Sequence, residues 1–268
     1  FATLMLKNNE DNSEVIENNR GVTTNVTLQD RTLYKDGSWN TLCLPFNIDN
    51  IATSPLANYS GLMTLDVTST EDDGVTKKTR LDGTTLNLWF ANATSIEAGK
   101  PYIIKWDGNG TNNLTETDLV FSNVTISNAL TEVESNDGYV TFLGSYSPMT
   151  FTAADKSILF LGSNDKLYYP QPSTNSTLTI GAQRAYFQLN KGLTCGDSAN
   201  PGQGGGNNTV RAFNLSFGGE ETGVFSATLN DKGQMINDKW YSLDGRKLNG
   251  KPTTKGLYIN NGKKVVIK

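Results

Sequence analysis

The feature that most constrains this chain is the recurrence of turn-forming dipeptides along its length. Aspartate or asparagine followed by glycine occurs at Asp36-Gly37, Asp73-Gly74, Asp82-Gly83, Asn109-Gly110, Asp137-Gly138 and Asp244-Gly245. Such pairs favour the positive φ angles of tight hairpin turns, and the segments between them are rich in β-branched and aromatic residues. No stretch of about 12 residues places apolar residues at helical spacing. The sequence therefore predicts an all-β fold.

Two segments show the alternation that is typical of a strand with one buried face. In residues 184–189 and 211–217 every second side chain is apolar, as in antiparallel sheets that are solvated on one side. The glycine-rich residues 192–208 between them are predicted to form a long hairpin loop. We therefore predict an antiparallel β-sandwich over residues 1–222, either one large sandwich or two packed sandwiches that divide near Asn136.

Residues 223–268 differ from the rest in charge and pattern. From Lys239 onward the charge is +7, which leaves −11 for the preceding residues because the whole chain carries −4. Two hairpins are predicted here, and they bury too little surface to be stable alone. We predict a small C-terminal β-hairpin module that serves export, anchoring or edge capping, the alternative being the last hairpins of one fold. Its apolar residues should pack together and partly against the main domain: Trp240, Leu243, Leu257, Ile259, Val265 and Ile267.

The residue types exclude several kinds of chemistry. The chain contains no histidine, which removes Ser-His-Asp and Cys-His catalysis and the usual zinc sites. We therefore predict that the protein is not an enzyme and assign no catalytic, cofactor-binding or metal-binding residue. Two cysteines are too few for a disulfide framework. We expect a buried thiol at Cys43 and a loop thiol at Cys195, with a bond between them as the alternative.

Charge and hydropathy restrict the partners. A net charge of −4 and an isoelectric point of about 5.0 argue against a nucleic-acid-binding protein. No run of 18 apolar residues occurs, so the sequence does not predict a membrane-spanning helix. Neither the charge nor the hydropathy of the sequence indicates an oligomeric state.

Aromatic residues in polar surroundings are the candidate ligand-binding residues. Sugar rings stack on exposed aromatic side chains while nearby polar groups bind the hydroxyls. Trp106, beside a polar turn, and Tyr168 and Tyr169, before Pro170, fit this pattern. The alternative for all three is packing in the core or at its edge.

Several segments together resemble large secreted and surface proteins of the Bacteroides and Prevotella group. They are Trp-Asn-Thr-Leu-Cys-Leu-Pro-Phe at 39–46, Glu-Ala-Gly-Lys-Pro-Tyr-Ile-Ile at 97–104 and Arg-Ala-Tyr-Phe at 184–187. Residues 240–268 are similar to the C-terminal sorting domains of Bacteroidetes secretion systems, although the lysine-containing link at 251–255 departs from that pattern. The resemblance covers most of the chain from about Val22 onward. It implies an extracytoplasmic protein that is secreted or held at the cell surface.

Three functions follow as hypotheses. The first is a non-catalytic exported or surface protein that serves adhesion or captures a ligand such as a glycan or a cell-surface or matrix component. The second is a carbohydrate-binding module of a polysaccharide-utilisation system, which rests on the three aromatic residues. The third is a histidine-independent glycosidase, which rests only on the presence of carboxylates.

Overall fold

A computed structural model describes residues 3–68, 79–108, 112–162, 165–196 and 209–217, together with the segments 221–226, 240–242, 247–248, 255–260 and 263–267. Strands account for 43% of the residues and helices for 5%, whereas about a third of the residues of an average globular protein are helical. The predicted all-β class is therefore confirmed.

The described strands and helical segments are short. The strands in chain order are β1 (Thr3–Lys7), β2 (Thr23–Gln29), β3 (Asn40–Leu42), β4 (Gly61–Leu65), β5 (Arg80–Asp82), β6 (Thr85–Asn92), β7 (Tyr102–Lys105), β8 (Val120–Thr125), β9 (Val133–Glu134), β10 (Val140–Ser145), β11 (Met149–Phe151), β12 (Ile158–Leu161), β13 (Leu167–Tyr168), β14 (Leu178–Ile180), β15 (Arg184–Leu189), β16 (Thr194–Cys195), β17 (Thr209–Val210), β18 (Ala212–Ser216), β19 (Glu221–Ser226), β20 (Trp240–Ser242), β21 (Lys247–Leu248), β22 (Gly256–Asn260) and β23 (Lys263–Ile267). The helical segments are α1 (Ser13–Asn18) and a 3-10 turn at Ile51–Thr53.

A seven-stranded sheet forms the centre of the fold. Its order is β19-β18-β6-β4-β7-β3, and β5 also pairs with β6. Leu62 and Ile104 belong to one core cluster, whereas their chain neighbours Met63 and Ile103 belong to another. Because successive side chains of a strand point to opposite faces, β4 and β7 are buried on both faces of the sheet.

Two further sheets cover these faces. The three-stranded sheet β1-β2-β8 contributes Leu28 and Phe121 to the first cluster. The five-stranded sheet β13-β12-β15-β10-β9 contributes Phe142 and Phe187 to the second, where their rings stack with centroids 4.6 Å apart. Both rings also meet Phe90 of β6 edge-on. The predicted sandwich is present, and the three-stranded sheet adds a further layer.

The connection between β15 and β18 differs from the sequence prediction. β15 lies in the five-stranded sheet, but β18 pairs with β6 in the central sheet, and this pairing is parallel. β15 and β18 therefore lie in different sheets, so the predicted hairpin between them is wrong. Two other pairs, β1–β2 and β16–β17, are also parallel, while the remaining pairs are antiparallel in the described part. Strands from both sides of Asn136 share the central sheet, and the division of the chain into domains stays a prediction.

Two of the predicted turns connect paired strands. Asp82-Gly83 joins β5 to β6, and Asp137-Gly138 lies between β9 and β10. Gly37 also has a positive φ, +86°, but the segments around Asp36-Gly37 do not form the expected hairpin. Leu33 bridges to Leu114 and β3 pairs with β7 instead. The predicted turns at 73–74, 109–110 and 244–245 lie outside the described residues.

The C-terminal strands form a four-stranded sheet of their own. Its order is β21-β20-β22-β23, and the two predicted hairpins, β20–β21 and β22–β23, are both antiparallel. β19 pairs with β18, so the central sheet extends to Ser226, slightly past the predicted boundary at 222. The predicted packing of the tail side chains lies outside what the structure describes. The role of this module stays a prediction.

Both cysteines are buried thiols. Cys43 belongs to the first core cluster, and burial raises the pKa of its thiol to about 12. The expected buried thiol at this position is confirmed. Cys195 lies in β16 and in the second cluster, so it is a core residue and not the predicted loop thiol.

Leu215 and Leu130 provide a matched test of the second core cluster. Leu215 of β18 is fully buried, whereas Leu130 is 53% exposed. We expect Leu215→Ala to lower the free energy of unfolding by about 2–5 kcal/mol because it leaves a cavity between two sheets. Leu130→Ala should change it by less than about 0.5 kcal/mol. Urea denaturation followed by tryptophan fluorescence measures both, and equal losses would contradict the placement of β18.

Candidate ligand-binding site

An open cavity of about 510 Å³ lies where edge strands of two sheets approach each other. One wall comes from residues 31–41, which lead into β3 at the edge of the central sheet. The other wall comes from β12, β13 and β14, with β13 at the edge of the five-stranded sheet. Tyr168 and Tyr169, both predicted from the sequence, line this cavity. Clefts of this size are typical of small-molecule sites.

Tyrosine rings form the rim of the cavity. Tyr34 is 54% exposed and Tyr168 is 37% exposed. A Cβ atom on Gly162 would lie 2.7 Å from the Tyr168 ring, so this glycine leaves the space that the ring occupies. Tyr169 is partly buried against the second core cluster, and Lys156 Nζ lies 5.7 Å from its ring centroid. Tyr34 and Tyr168 therefore present the most open aromatic surface.

Asn40 fixes the position of Tyr34. Its Oδ1 accepts a hydrogen bond from the Tyr34 backbone N–H at 2.7 Å, and its Nδ2 donates to the Tyr34 carbonyl at 2.8 Å. Between them, Asp36 Oδ1 accepts from Ser38 N at 2.9 Å and stabilises the turn at Gly37. These side-chain hydrogen bonds add to the backbone bonds that Leu33 and Gly37 make to Leu114 and Trp106.

Trp39 and Asp165 join the two walls. The Trp39 backbone N–H donates to Asp165 Oδ1 at 2.7 Å. The Trp39 ring stacks on Phe217 with centroids 5.1 Å apart. Burial raises the pKa of Asp165, and nearby Asp36 raises it further, while the Trp39 N–H and Lys105 act in the opposite direction. Asp165 is therefore a partly buried acid whose hydrogen bond holds the chain beside the cavity.

Two arginines, the buried Arg31 and the partly buried Arg184, form the inner part of the cavity wall. Arg31 is 2% exposed and donates from Nη1 to Thr32 O at 3.2 Å and from Nη2 to Thr41 O at 2.8 Å. Arg184 donates from Nη2 to Asn8 Oδ1 at 3.2 Å. The Nε atoms of both arginines are buried and have no hydrogen-bond partner among the described residues.

The two guanidinium groups influence each other. Burial lowers the pKa of both, and the positive charge of Arg184 lowers that of Arg31 further. The Tyr34 phenol acts in the opposite direction on each. Within the described part of the chain, no Asp or Glu lies within 4.0 Å of either arginine. The inner wall thus carries two neighbouring positive charges without an acidic partner there.

Trp106 is placed differently from the sequence prediction. It is 1% exposed, belongs to the first core cluster, and donates from its indole N–H to Ala57 O at 3.0 Å. Its ring therefore offers no open face to a ligand. Trp106 packs in the core, which was the alternative considered for this residue. The polar residues after Trp106 suggested that its ring is exposed. Instead, Trp106 follows β7 directly and is buried like most residues of that strand.

Sequence reasoning did not single out Tyr34, Arg31 or Arg184. Tyr34 directly precedes the Asp36-Gly37 turn, and exposed turn residues next to an aromatic ring are a signal that could have indicated it. The arginines gave no such signal, because Arg184 occupies a polar position of a strand whose other face is apolar. Arg184 lines the cavity together with Arg31 and Tyr34, and the sequence does not show that these residues lie near β15.

Comparison with known proteins adds no assignment. No protein-family model, curated protein or solved structure matches the chain. In the described residues, no helix has the length and apolar character needed to cross a bilayer. The same residues contain no cluster of three or more histidine, cysteine, aspartate or glutamate side chains that could hold a metal ion.

The raised pKa of Asp165 leads to a prediction about pH. A carboxyl group whose pKa is higher in the folded than in the unfolded state stabilises the fold below its unfolded pKa, and this contribution is lost as pH rises through the folded value. Asp165→Asn keeps an acceptor for Trp39 N–H and suits the positive φ of 55° at this position. We expect the unfolding free energy of this variant, relative to wild type, to increase between about pH 4 and pH 7.

Asp165→Ala is the control for that measurement. It removes the acceptor and leaves the Trp39 backbone N–H unpaired, so its unfolding free energy should lie about 1–3 kcal/mol below that of Asp165→Asn at every pH. Urea denaturation at several pH values distinguishes the variants. A pH-independent difference between Asp165→Asn and wild type would contradict a raised pKa at this site.

Proposed function

We propose that the protein is a non-catalytic, exported binding protein that captures a carbohydrate in the cavity between residues 31–41 and β12–β14. The observation that carries this proposal is the convergence of the Tyr34 and Tyr168 rings, both exposed, over a cavity of about 510 Å³. Sugar rings have an apolar face that stacks on tyrosine and a set of hydroxyl groups that need hydrogen-bond partners. Asp36, Ser38 and Thr179 provide such groups in the cavity wall.

The residues of the cavity favour binding over catalysis. Hydrolysis of a glycoside normally needs two carboxyl groups that flank the scissile bond. Asp36 is the only acidic residue among the described residues that line the cavity. Asp165 lies nearby, but its Oδ1 is engaged by the Trp39 N–H. A glycosidase at this position would therefore lack its second group in the described wall.

The proposed location rests on the resemblance to Bacteroides and Prevotella surface proteins. A carbohydrate-binding protein in that setting would hold polysaccharide at the cell surface, either for adhesion or as a module of a polysaccharide-utilisation system. The positively charged C-terminal module would then serve export or anchoring and would take no part in ligand binding.

Substitution of Tyr168 tests the binding site. We expect Tyr168→Ala to weaken glycan affinity about ten-fold, because the variant loses a stacking surface, while Tyr168→Phe keeps the ring and most of the affinity. Tyr34→Ala should behave like Tyr168→Ala. A glycan array identifies ligands of the wild type, and isothermal titration calorimetry then compares the variants. Failure of the wild type to bind any glycan would overturn the proposal, and release of reducing sugar from a bound glycan would favour the glycosidase.

Truncation tests the role proposed for the C-terminal module. Because β19 completes the central sheet, the cut belongs after Ser226. We expect the shortened chain to unfold as cooperatively as the full chain but to be absent from the surface of cells that express it with its export signals. Thermal unfolding and surface labelling measure the two properties. A shortened chain that no longer folds would assign the tail to the main fold.

A further inference from the structure

The guanidinium groups of Arg31 and Arg184 are only partly used by the protein. Together they carry ten N–H donors, and the described residues accept three hydrogen bonds from them. The acceptors are neutral, namely two backbone carbonyls and the Asn8 amide oxygen. Both arginines line the cavity, and Arg31 is almost fully buried. The inner wall therefore holds positive charge that neutral groups alone compensate.

Such an arrangement favours an anion. A buried charge is expensive unless an opposite charge accompanies it, and two guanidinium groups side by side repel each other. The lowered pKa of both arginines, caused first by burial, agrees with this. An anion that enters the cavity would reduce the repulsion and accept hydrogen bonds from donors that otherwise face no acceptor.

The polar groups of the cavity are segregated. The arginines lie in the inner wall, next to Asn8 and Thr41, whereas Asp36 is exposed at the rim beside Tyr34. An acid at the rim would repel a ligand that is anionic throughout. A ligand with one anionic group that points inward, and with neutral hydroxyl groups at the rim, fits both parts of the wall.

We propose that the cavity recognises an acidic sugar, whose carboxylate or sulfate group is bound by Arg31 and Arg184 while its ring contacts Tyr34 and Tyr168. This inference rests on the proposed function, because it names the class of carbohydrate. The planar fork of an arginine matches the two oxygens of a carboxylate or sulfate group better than a lysine does. Neutral sugars can stack on Tyr34 and Tyr168, but they gain no attraction from the positive charges of the two arginines.

The experiment compares each acidic ligand with its neutralised form. Neutral oligosaccharides that carry a single galacturonate, glucuronate, mannuronate or guluronate residue are measured against their methyl esters, and galactan oligosaccharides with a single sulfate group against their desulfated forms. We expect the wild type to bind at least one acidic form ten-fold or more tightly than its neutral partner. This preference should decrease with increasing salt, whereas binding of the neutral form should not. The carboxylate and sulfate series identify which anion is bound.

Arg184 is the residue to replace, because Arg31 holds two backbone carbonyls and its loss would endanger folding. Arg184→Gln should remove the preference for the acidic form, and Arg184→Lys should restore part of the preference. Arg80→Gln is a matched control, since Arg80 is exposed and pairs with Asp82 on the surface. Thermal unfolding verifies that each variant is folded, and the salt dependence of the wild type provides a test that needs no variant.

The outcomes separate this inference from the proposed function. Equal affinity for acidic and neutral forms, or a preference that survives in Arg184→Gln, would overturn the acidic-sugar inference while the cavity remains a carbohydrate site. Absence of binding to every acidic and neutral glycan would overturn both. A salt-dependent preference that Arg184→Gln abolishes and Arg80→Gln keeps would support the inference.

Discussion

The burial of the central sheet on both faces is the constraint on which the rest of the structure depends. Tyr102, Ile103 and Ile104 of β7 are all buried, although successive residues point to opposite sides. A strand of this kind is stable only if each face is covered by another layer. The chain supplies one cover from its first 125 residues and the other from residues 133–189. It then returns to extend the central sheet with β18, so the layers depend on each other.

The cavity is a consequence of the same arrangement. Covering sheets bury the middle of the central sheet, but at its edge β3 and the incoming residues 31–39 meet β13, the edge strand of the five-stranded sheet. In the described part of the chain, neither edge pairs with a further strand. Hydrogen bonds from Asn40 fix the first wall, and the bond between the Trp39 backbone N–H and Asp165 joins it to the second. The edge of the sandwich thereby becomes a defined cleft with aromatic residues at its rim.

Local patterns were sufficient for the strands but not for their partners. The alternation in β15 and β18 correctly assigned Phe187 and Phe213 to a core, because the periodicity of a strand is a property of neighbouring residues. It could not reveal that the two strands lie in different sheets, since pairing depends on residues far away in the chain. The same limit explains Trp106 and Tyr168. Both are aromatic residues near polar turns, and only the layers around them make one a core residue and leave the other at the rim of a cavity.

Arg31 and Arg184 illustrate how stability and function separate within one site. Replacing buried charges by apolar side chains of similar volume is often neutral or stabilising, so packing alone does not explain two neighbouring cations. Arg31 has a structural reason to be present, because its two hydrogen bonds hold the carbonyls of Thr32 and Thr41 on either side of the turn at the cavity. Among the described residues, the Arg184 side chain makes one hydrogen bond, to Asn8, which a neutral side chain could make equally well. The fold therefore does not require the positive charge of Arg184, and binding of an anionic ligand would account for its presence.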